Sequence, residues 1–149
     1  MLKKCATLVC VCMCVCVSVG TSLVTEFKCP DHFVNGSVNI ITYIIDSTEI
    51  TNAGCLFASN VVFYFTPKGQ TLGSELCFHP YLPANCTAGL SDNTCGCVKQ
   101  EGTVYTYQFR FLVDESHKGG QLKGTLCVGA PSFQPKASPS CNPISFGEY

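Results

Sequence analysis

The segment VYTYQFRFLVD, residues 104–114, decides the fold class. Aromatic and apolar side chains alternate along it with mostly polar ones, and Leu112 is the exception. The predicted inner face consists of Tyr105, Tyr107, Phe109, Phe111 and Val113. Strict alternation over this length indicates a β-strand with one buried side. We therefore expect a sheet that packs an aromatic face against a second layer.

Two further runs extend the same interpretation. VNIITYII, residues 38–45, is apolar on both sides, which is typical of an interior strand covered on both faces. VVFYFT, residues 61–66, is short and aromatic and ends at a turn over 67–69. Residues 76–78 and 123–128 are weaker strand candidates. Because no long window shows a helical period, the sequence predicts an all-β sandwich.

The first twenty residues, MLKKCATLVCVCMCVCVSVG, read as a secretory signal. Two lysines precede a short apolar run, and small residues follow it, which is the order of a cleavable signal. The apolar run is shorter than the roughly 20 residues of a spanning helix. We expect cleavage after Gly20 or Ser22 and a secreted, extracellular product. The alternative is an uncleaved anchor whose cysteines are acylated.

Eight cysteines remain after the signal, and an even number in a short exported chain predicts a disulfide framework. They are Cys29, Cys55, Cys77, Cys86, Cys95, Cys97, Cys127 and Cys141. The sequence does not choose among their pairings. Two sequons begin at Asn35 and Asn85, which are N-glycosylation candidates of an exported protein. Cys86 stands in the middle of the second sequon, so we expect that sequon to be used less.

The charge of the mature chain is mildly negative. Loss of Lys3 and Lys4 leaves 7 of the 9 basic residues against 10 acidic ones, a net charge of −3. Nucleic acids and anionic membranes require a basic stripe, so neither is the expected partner. No late apolar run follows the domain, and we expect no membrane span in the mature chain. The oligomeric state is left open.

Residues 21–129 are expected to form one domain, and residues 130–149 an irregular Pro/Ser-rich tail. The tail carries Pro131, Pro135, Pro139 and Pro143. Such a composition is not expected to continue a sheet ladder or to bury much apolar surface. A disulfide at Cys141 would attach the tail to the domain at one point.

Residues 69–102 are expected to be a long loop rich in cysteine, proline and glycine. Long ordered loops in compact domains often carry function. Phe78, His79, Tyr81 and Leu82 supply aromatic and apolar side chains within it and are the candidate partner contacts. The alternative interpretation is that the segment has no binding role and contains an internal disulfide.

Catalytic and metal sites are not predicted, and no cofactor is expected. Cys95-Gly96-Cys97 is a possible thiolate pair, but zinc sites usually need a second pair or a suitably spaced histidine. Asp114-Glu115-Ser116-His117 holds the residue types of a hydrolytic triad on one turn, whereas real triads assemble from distant segments. We therefore expect a solvated turn at 114–117 and no enzyme.

Several short motifs together resemble an immunoglobulin-like domain over residues 27–129. Phe27-Lys28-Cys29-Pro30 followed by VNGSVNI, residues 34–40, resembles the run into the second strand of such a domain. YTYQFRF, residues 105–111, followed by HKGGQL, residues 117–122, resembles the late strand and the turn before the sixth strand. A Gly-Gly-x-Trp-x-Cys version of that turn is typical of invertebrate, molluscan-type cell-surface recognition and adhesion receptors, and here Leu122 stands at the position of its aromatic residue. The resemblance implies a disulfide-rich immunoglobulin-like β-sandwich.

The chain departs from the family at the bridge between the two sheets. Aligned on these motifs, the two bridge positions hold Tyr43 and Gly124, and the chain has no tryptophan. The tryptophan of the third strand is replaced within residues 63–65. A large Tyr43 facing a small Gly124 would conserve volume. In the alternative register Cys55 and Cys127 form the inter-sheet bridge.

On the first register the resemblance suggests a set of disulfides. Cys29 would pair with Cys127, and Cys77 and Cys86 with Cys95 or Cys97. The implied function is a secreted binding module for recognition or adhesion, with a protein or glycan ligand. The alternative is a secreted cysteine-rich effector, toxin-like or a protease inhibitor. Such effectors are usually shorter and have a smaller core.

Overall fold

The computed structural model describes residues 25–48, 60–81, 83–126 and 139–147. Over these residues the chain is mostly β-strand, arranged in two antiparallel sheets with almost no helix. The predicted all-β fold class is confirmed. The predicted signal at 1–20, Leu82, Cys55 and Cys127 lie outside the described residues.

Seven strands and one 3-10 helix follow one another along the described chain. They are β1 (Thr25–Lys28), β2 (Ser37–Asp46), β3 (Asn60–Thr66), β4 (Ser74–Pro80), β5 (Cys95–Glu101), β6 (Val104–Val113), the 3-10 helix Glu115–His117 and β7 (Gln121–Leu126). One sheet has the order β1-β2-β6-β5 and the other the order β4-β3-β7. β2 and β6 are the central pair of the larger sheet, in continuous register from Ser37↔Val113 to Asp46↔Val104.

The expectation of a long loop over 69–102 is wrong, because that segment contains β4 and β5. β5 forms a hairpin with β6 through a tight turn in which Gly102 has a φ of 58°. Its Cys-Gly-Cys start and charged end hide the alternation that marks the other strands. The predicted turn at 67–69 is confirmed, since Gln70 N–H donates to the Pro67 carbonyl at 3.1 Å.

The core lies between the two sheets and is aromatic. The predicted inner face of β6 is buried at Tyr107, Phe109, Phe111 and Val113, and half-buried at Tyr105. The rings of Phe63 and Phe109 meet across the two sheets with centroids 5.3 Å apart. Rings at this distance add a specific attraction to the hydrophobic gain of burial.

β2 is an interior strand of its sheet, but it is not covered on both faces as expected. Ile41, Tyr43 and Ile45 are buried, whereas Ile40 is 45% exposed. The strand therefore alternates like its neighbour β6. An antiparallel sheet commonly packs one face on the core and leaves the other to solvent. The apolar residues of the outer face misled the sequence-based prediction.

Tyr43 faces Gly124 across the two sheets, as the first register predicts. A Cβ atom added to Gly124 would lie 3.0 Å from Tyr43 Cδ1 and 2.5 Å from Phe27 Cε2. Phe27 and Tyr43 meet edge to face, with centroids 5.2 Å apart. Two rings therefore occupy the space that a side chain at position 124 would need.

The expectation that the tail cannot extend a sheet is wrong for residues 139–147. Gly124 N–H donates to the Pro139 carbonyl at 2.9 Å, and Cys141 N–H donates to the Leu122 carbonyl at 2.9 Å. Cys141 and Ile144 are buried. Proline lacks only the donor, so Pro139 still contributes its acceptor to the ladder. The segment thus lies along the free edge of β7.

Three disulfides join the described residues, and one predicted pairing is wrong. Cys29 pairs with Cys141 rather than with Cys127. The backbone bonds between 139–144 and β7 carry Cys141 to the end of β1, which is why this partner is available. The other two bonds, Cys77–Cys95 and Cys86–Cys97, fall within the predicted alternatives.

Candidate partner-binding surface

Two disulfides organise one side of the sandwich, which we call the stapled edge: β4, β5 and residues 83–94. β4 is the outer strand of the three-stranded sheet, and β5 is the outer strand of the four-stranded one. Cys77–Cys95 joins these two strands with a Cα–Cα distance of 6.0 Å. Cys86–Cys97 ties the connecting segment to β5. The edge is therefore cross-linked within a short stretch of chain.

The connecting segment packs closely on β5 at Gly96. A Cβ atom added there would lie 2.9 Å from Ala88 Cβ and 3.1 Å from the Leu90 Cδ2 atom. Ala88 N–H also donates to the Cys97 carbonyl at 3.1 Å. The glycine between the two cysteines is thus explained by close approach of the segment. This contact fixes residues 88–90 independently of the sulfur bonds.

Phe78 is the most accessible aromatic side chain of the stapled edge, at 59% exposed. It lies opposite Val62 in the β3–β4 register. Val62 is 3% exposed but lies outside the core cluster, so the two residues share the outer face of their sheet. Sequence reasoning identified Phe78 but missed Val62. The alternation within VVFYFT, which turns Val62 away from Val61 and Phe63, was the available signal.

His79 lies on the opposite side of β4 and is half-buried. Its ring packs edge-on against Tyr107 of the core, with centroids 5.9 Å apart. Its Nδ1 atom lies 3.0 Å from the Pro80 carbonyl oxygen. These contacts make His79 a support of the edge rather than a freely presented side chain.

Tyr81 follows β4 directly and is half-buried against Tyr105, with ring centroids 6.5 Å apart. Burial raises the pKa of Tyr81 to about 12, and the neighbouring Tyr105 and Asp46 act in the same direction. Its hydroxyl is buried and has no hydrogen-bond partner among the described residues. Of the three predicted contacts that lie among the described residues, Phe78 is therefore the most exposed.

Both candidate glycosylation sites are exposed. The Asn35 side-chain amide donates to Glu115 Oε1 at 2.8 Å, so a glycan there would replace a hydrogen bond. Asn85 precedes a cysteine that is buried and bonded to Cys97. The sequon at Asn85 is thus part of the stapled edge.

The residues weighed for chemistry serve structure instead. Cys95 and Cys97 are both in disulfides, so they are no thiolate pair. Ser116 N–H donates to Asp114 Oδ1 at 2.9 Å, and Asp114 N–H donates to His117 Nδ1 at 3.1 Å. These bonds form a capping box on the 3-10 helix. The hydrogen bonds from the Ser116 hydroxyl and backbone N–H lower the pKa of the Asp114 carboxyl below its ordinary value.

Within residues 25–48, 60–81, 83–126 and 139–147, no group of three or more His, Cys, Asp or Glu side chains could hold a metal ion. The same residues contain no helix long and apolar enough to cross a membrane. No protein-family model, curated protein or solved structure matches the chain.

Proposed function

We propose that the chain is a secreted immunoglobulin-like binding module that acts in recognition or adhesion through its stapled edge. Its partner is a protein or a glycan. The observation that carries the binding role is Phe78, a large apolar side chain held exposed on a strand that is cross-linked at the preceding residue. Aromatic side chains are enriched at the centres of protein interfaces.

The strand order supports the immunoglobulin-like part of the proposal. The order β1-β2-β6-β5 corresponds to the A-B-E-D sheet of that fold, and β3 and β7 correspond to strands C and F. β4 takes the place of the additional strand C′ of variable-type domains. Tyr43 on β2 and Gly124 on β7 meet between the sheets, as the residues at the family's bridge positions do.

Secretion is supported by the disulfides. Bonds of this kind form and persist in oxidising compartments, and they are rare in the cytosol. Three of them join the described residues, and one spans most of the described chain. The signal-like first twenty residues agree with the same route.

Rigidity explains how a small surface could bind. Side chains that are already ordered lose less conformational entropy on association. Cys77–Cys95, Cys86–Cys97 and the close contact at Gly96 order the stapled edge before any partner arrives. Binding should therefore depend on the sulfur bonds as well as on Phe78.

A binding screen tests the proposal. The purified protein, with its disulfides intact, is applied to arrays of cell-surface ectodomains and glycans. We expect Phe78→Ala to weaken the captured interaction at least tenfold, the scale of an interface hot spot. Leu72→Ala is the matched control, because Leu72 is 82% exposed and lies in the turn before β4.

Equal binding by wild type and Phe78→Ala, at equal melting temperature, would remove the stapled edge as the contact surface. Inhibition of a protease by the purified protein, with no binding on either array, would favour the effector alternative instead.

A further inference from the structure

An open cleft of about 320 Å³ lies between β4 of one sheet and β6 of the other. Phe109 and Phe111 form its floor, and Leu76 and Leu112 form apolar walls. Asn93 and Asp114 stand among its polar lining. This cleft is distinct from the outer face that carries Phe78.

The small volume of the cleft favours a small, thin ligand. Its volume lies at the lower end of the range for small-molecule sites, about 300–1,000 Å³. Phe109 is 1% exposed and Phe111 is 4% exposed, so neither ring offers an open face on which a sugar could stack. Leu112 is 41% exposed and gives a linear alkyl chain an apolar surface along which it can lie.

The lining contains two titratable side chains, Asp114 and His117, and His117 Nδ1 lies 2.9 Å from Asp114 Oδ1. The Asp114 Oδ1 atom accepts hydrogen bonds from the Ser116 backbone and hydroxyl. Among the described residues, no hydrogen bond or ion pair reaches Oδ2. These bonds from Ser116 lower the pKa of the carboxyl, so it is ionised at neutral pH. The nearby Arg110 is already paired with Asp92 at 3.2 Å.

We propose that this cleft binds a lysine side chain presented by a partner protein. The four methylene groups would lie on Leu112 and Leu76, and the ammonium group would meet Asp114 Oδ2. Lysine carries a compact charge at the end of a flexible stem, which suits a narrow apolar cleft with one anionic group. The inference goes beyond the proposed function and does not require Phe78 to contact a partner.

Titration of the isotope-labelled, fully oxidised protein with small probes tests the inference by NMR. We expect N-acetyl-lysine methylamide to shift the amide signals of Asn93 and Leu112. N-acetyl-norleucine methylamide, which lacks the ammonium group, should bind about threefold more weakly, the scale of one exposed ion pair. Equal binding of the two probes, or no shift up to about 10 mM, would overturn the inference. Butylamine has the same methylene stem and ammonium group and should bind about as well as the lysine probe, whereas failure of butylamine to bind would overturn the inference.

Asp114→Asn sharpens the test, because asparagine also caps helices but carries no charge. We expect it to lower the affinity for the lysine probe about threefold and to leave the norleucine probe unchanged. Asp31→Asn is the matched control and should alter neither, because Asp31 is exposed and lies outside the lining.

A measurement on the unaltered protein covers the case in which Asp114→Asn disturbs the turn. About 1 M salt reduces the screening length from about 10 Å to about 3 Å. It should weaken the lysine probe selectively, and an equal effect on both probes would contradict the ion pair. Phe78→Ala should leave this titration unchanged, so the two proposals can fail separately.

Discussion

The centre and the rim of the sandwich are held together by different means. At the centre, Tyr43 and Phe27 close over Gly124, and no disulfide among the described residues joins β2 to β7. At the rim, Cys29–Cys141 ties β1 to residues 139–147, while Cys77–Cys95 and Cys86–Cys97 tie the stapled edge. Packing by volume therefore fills the described interior between β2 and β7, and covalent links join the segments at the edges of the two sheets.

The largest expected effect comes from removing the longest covalent link. Cys29→Ala/Cys141→Ala opens a connection with a sequence separation of 112 residues. The chain-entropy relation gives a loss of about 4.8 kcal/mol in the free energy of unfolding. Cys86→Ala/Cys97→Ala, with a separation of 11, should lose about 2.8 kcal/mol. Denaturant unfolding measures both values.

The order of these two losses tests whether the rim stabilises through the unfolded chain. If the short link costs more than the long one, local contacts at the stapled edge outweigh loop closure. The conclusion that the disulfides stabilise the fold by constraining the unfolded chain would then be wrong.

A smaller effect is expected at the centre from one added methyl group. Gly124→Ala places a Cβ atom against Phe27 and Tyr43, and overpacking of this kind costs about 1–3 kcal/mol. Gly89→Ala is the control, because nothing lies within 4 Å of a Cβ atom there. Equal denaturation midpoints for the two variants would show that the rings can move apart at little cost.

The smallest effect concerns Tyr81 and alkaline pH. Because its folded pKa of about 12 exceeds the ordinary value of 10.0, the folded state holds its proton more tightly than the unfolded state. Stability is therefore complete below about pH 10 and falls as pH rises towards 12. The loss should be modest, because the side chain is only partly buried.

Tyr81→Phe should remove that part of the pH dependence, with absorbance near 295 nm following the phenol. Tyr64→Phe is the control, since Tyr64 lies on β3 outside the stapled edge. Unaltered alkaline titration in Tyr81→Phe would contradict the raised pKa.

Most of the fold could be predicted from the local alternation of apolar and polar residues along the strands. The period of two in β6 identified its buried face, whereas the volume pair at positions 43 and 124 followed from the resemblance to immunoglobulin-like domains. β5 was missed because two of its first three residues are cysteines that serve the staples, so its side chains follow sulfur pairing rather than a hydrophobic pattern. The prediction that β2 is covered on both faces was wrong at Ile40, because the sequence does not distinguish an exposed isoleucine from a buried one.

The site was less predictable than the fold. Phe78 could be named from its composition and surroundings, but its separation from His79 onto the opposite face required the register of β4 with β3. The cleft beside Asp114 joins residues from β4, β6 and the turn before β5, which no local pattern connects. The partner of Cys29 was equally hidden, because it depends on backbone bonds from a proline-rich segment to β7.

The Cys29–Cys141 disulfide also limits the order in which the three described disulfides can form. Its two cysteines have a sequence separation of 112, whereas the separations in Cys77–Cys95 and Cys86–Cys97 are 18 and 11. The Cys77–Cys95 and Cys86–Cys97 pairs can form during translation, as soon as residues 77–97 have been synthesised. The Cys29–Cys141 bond can close only after residue 141 has been synthesised, and therefore after both shorter pairs are complete in the chain.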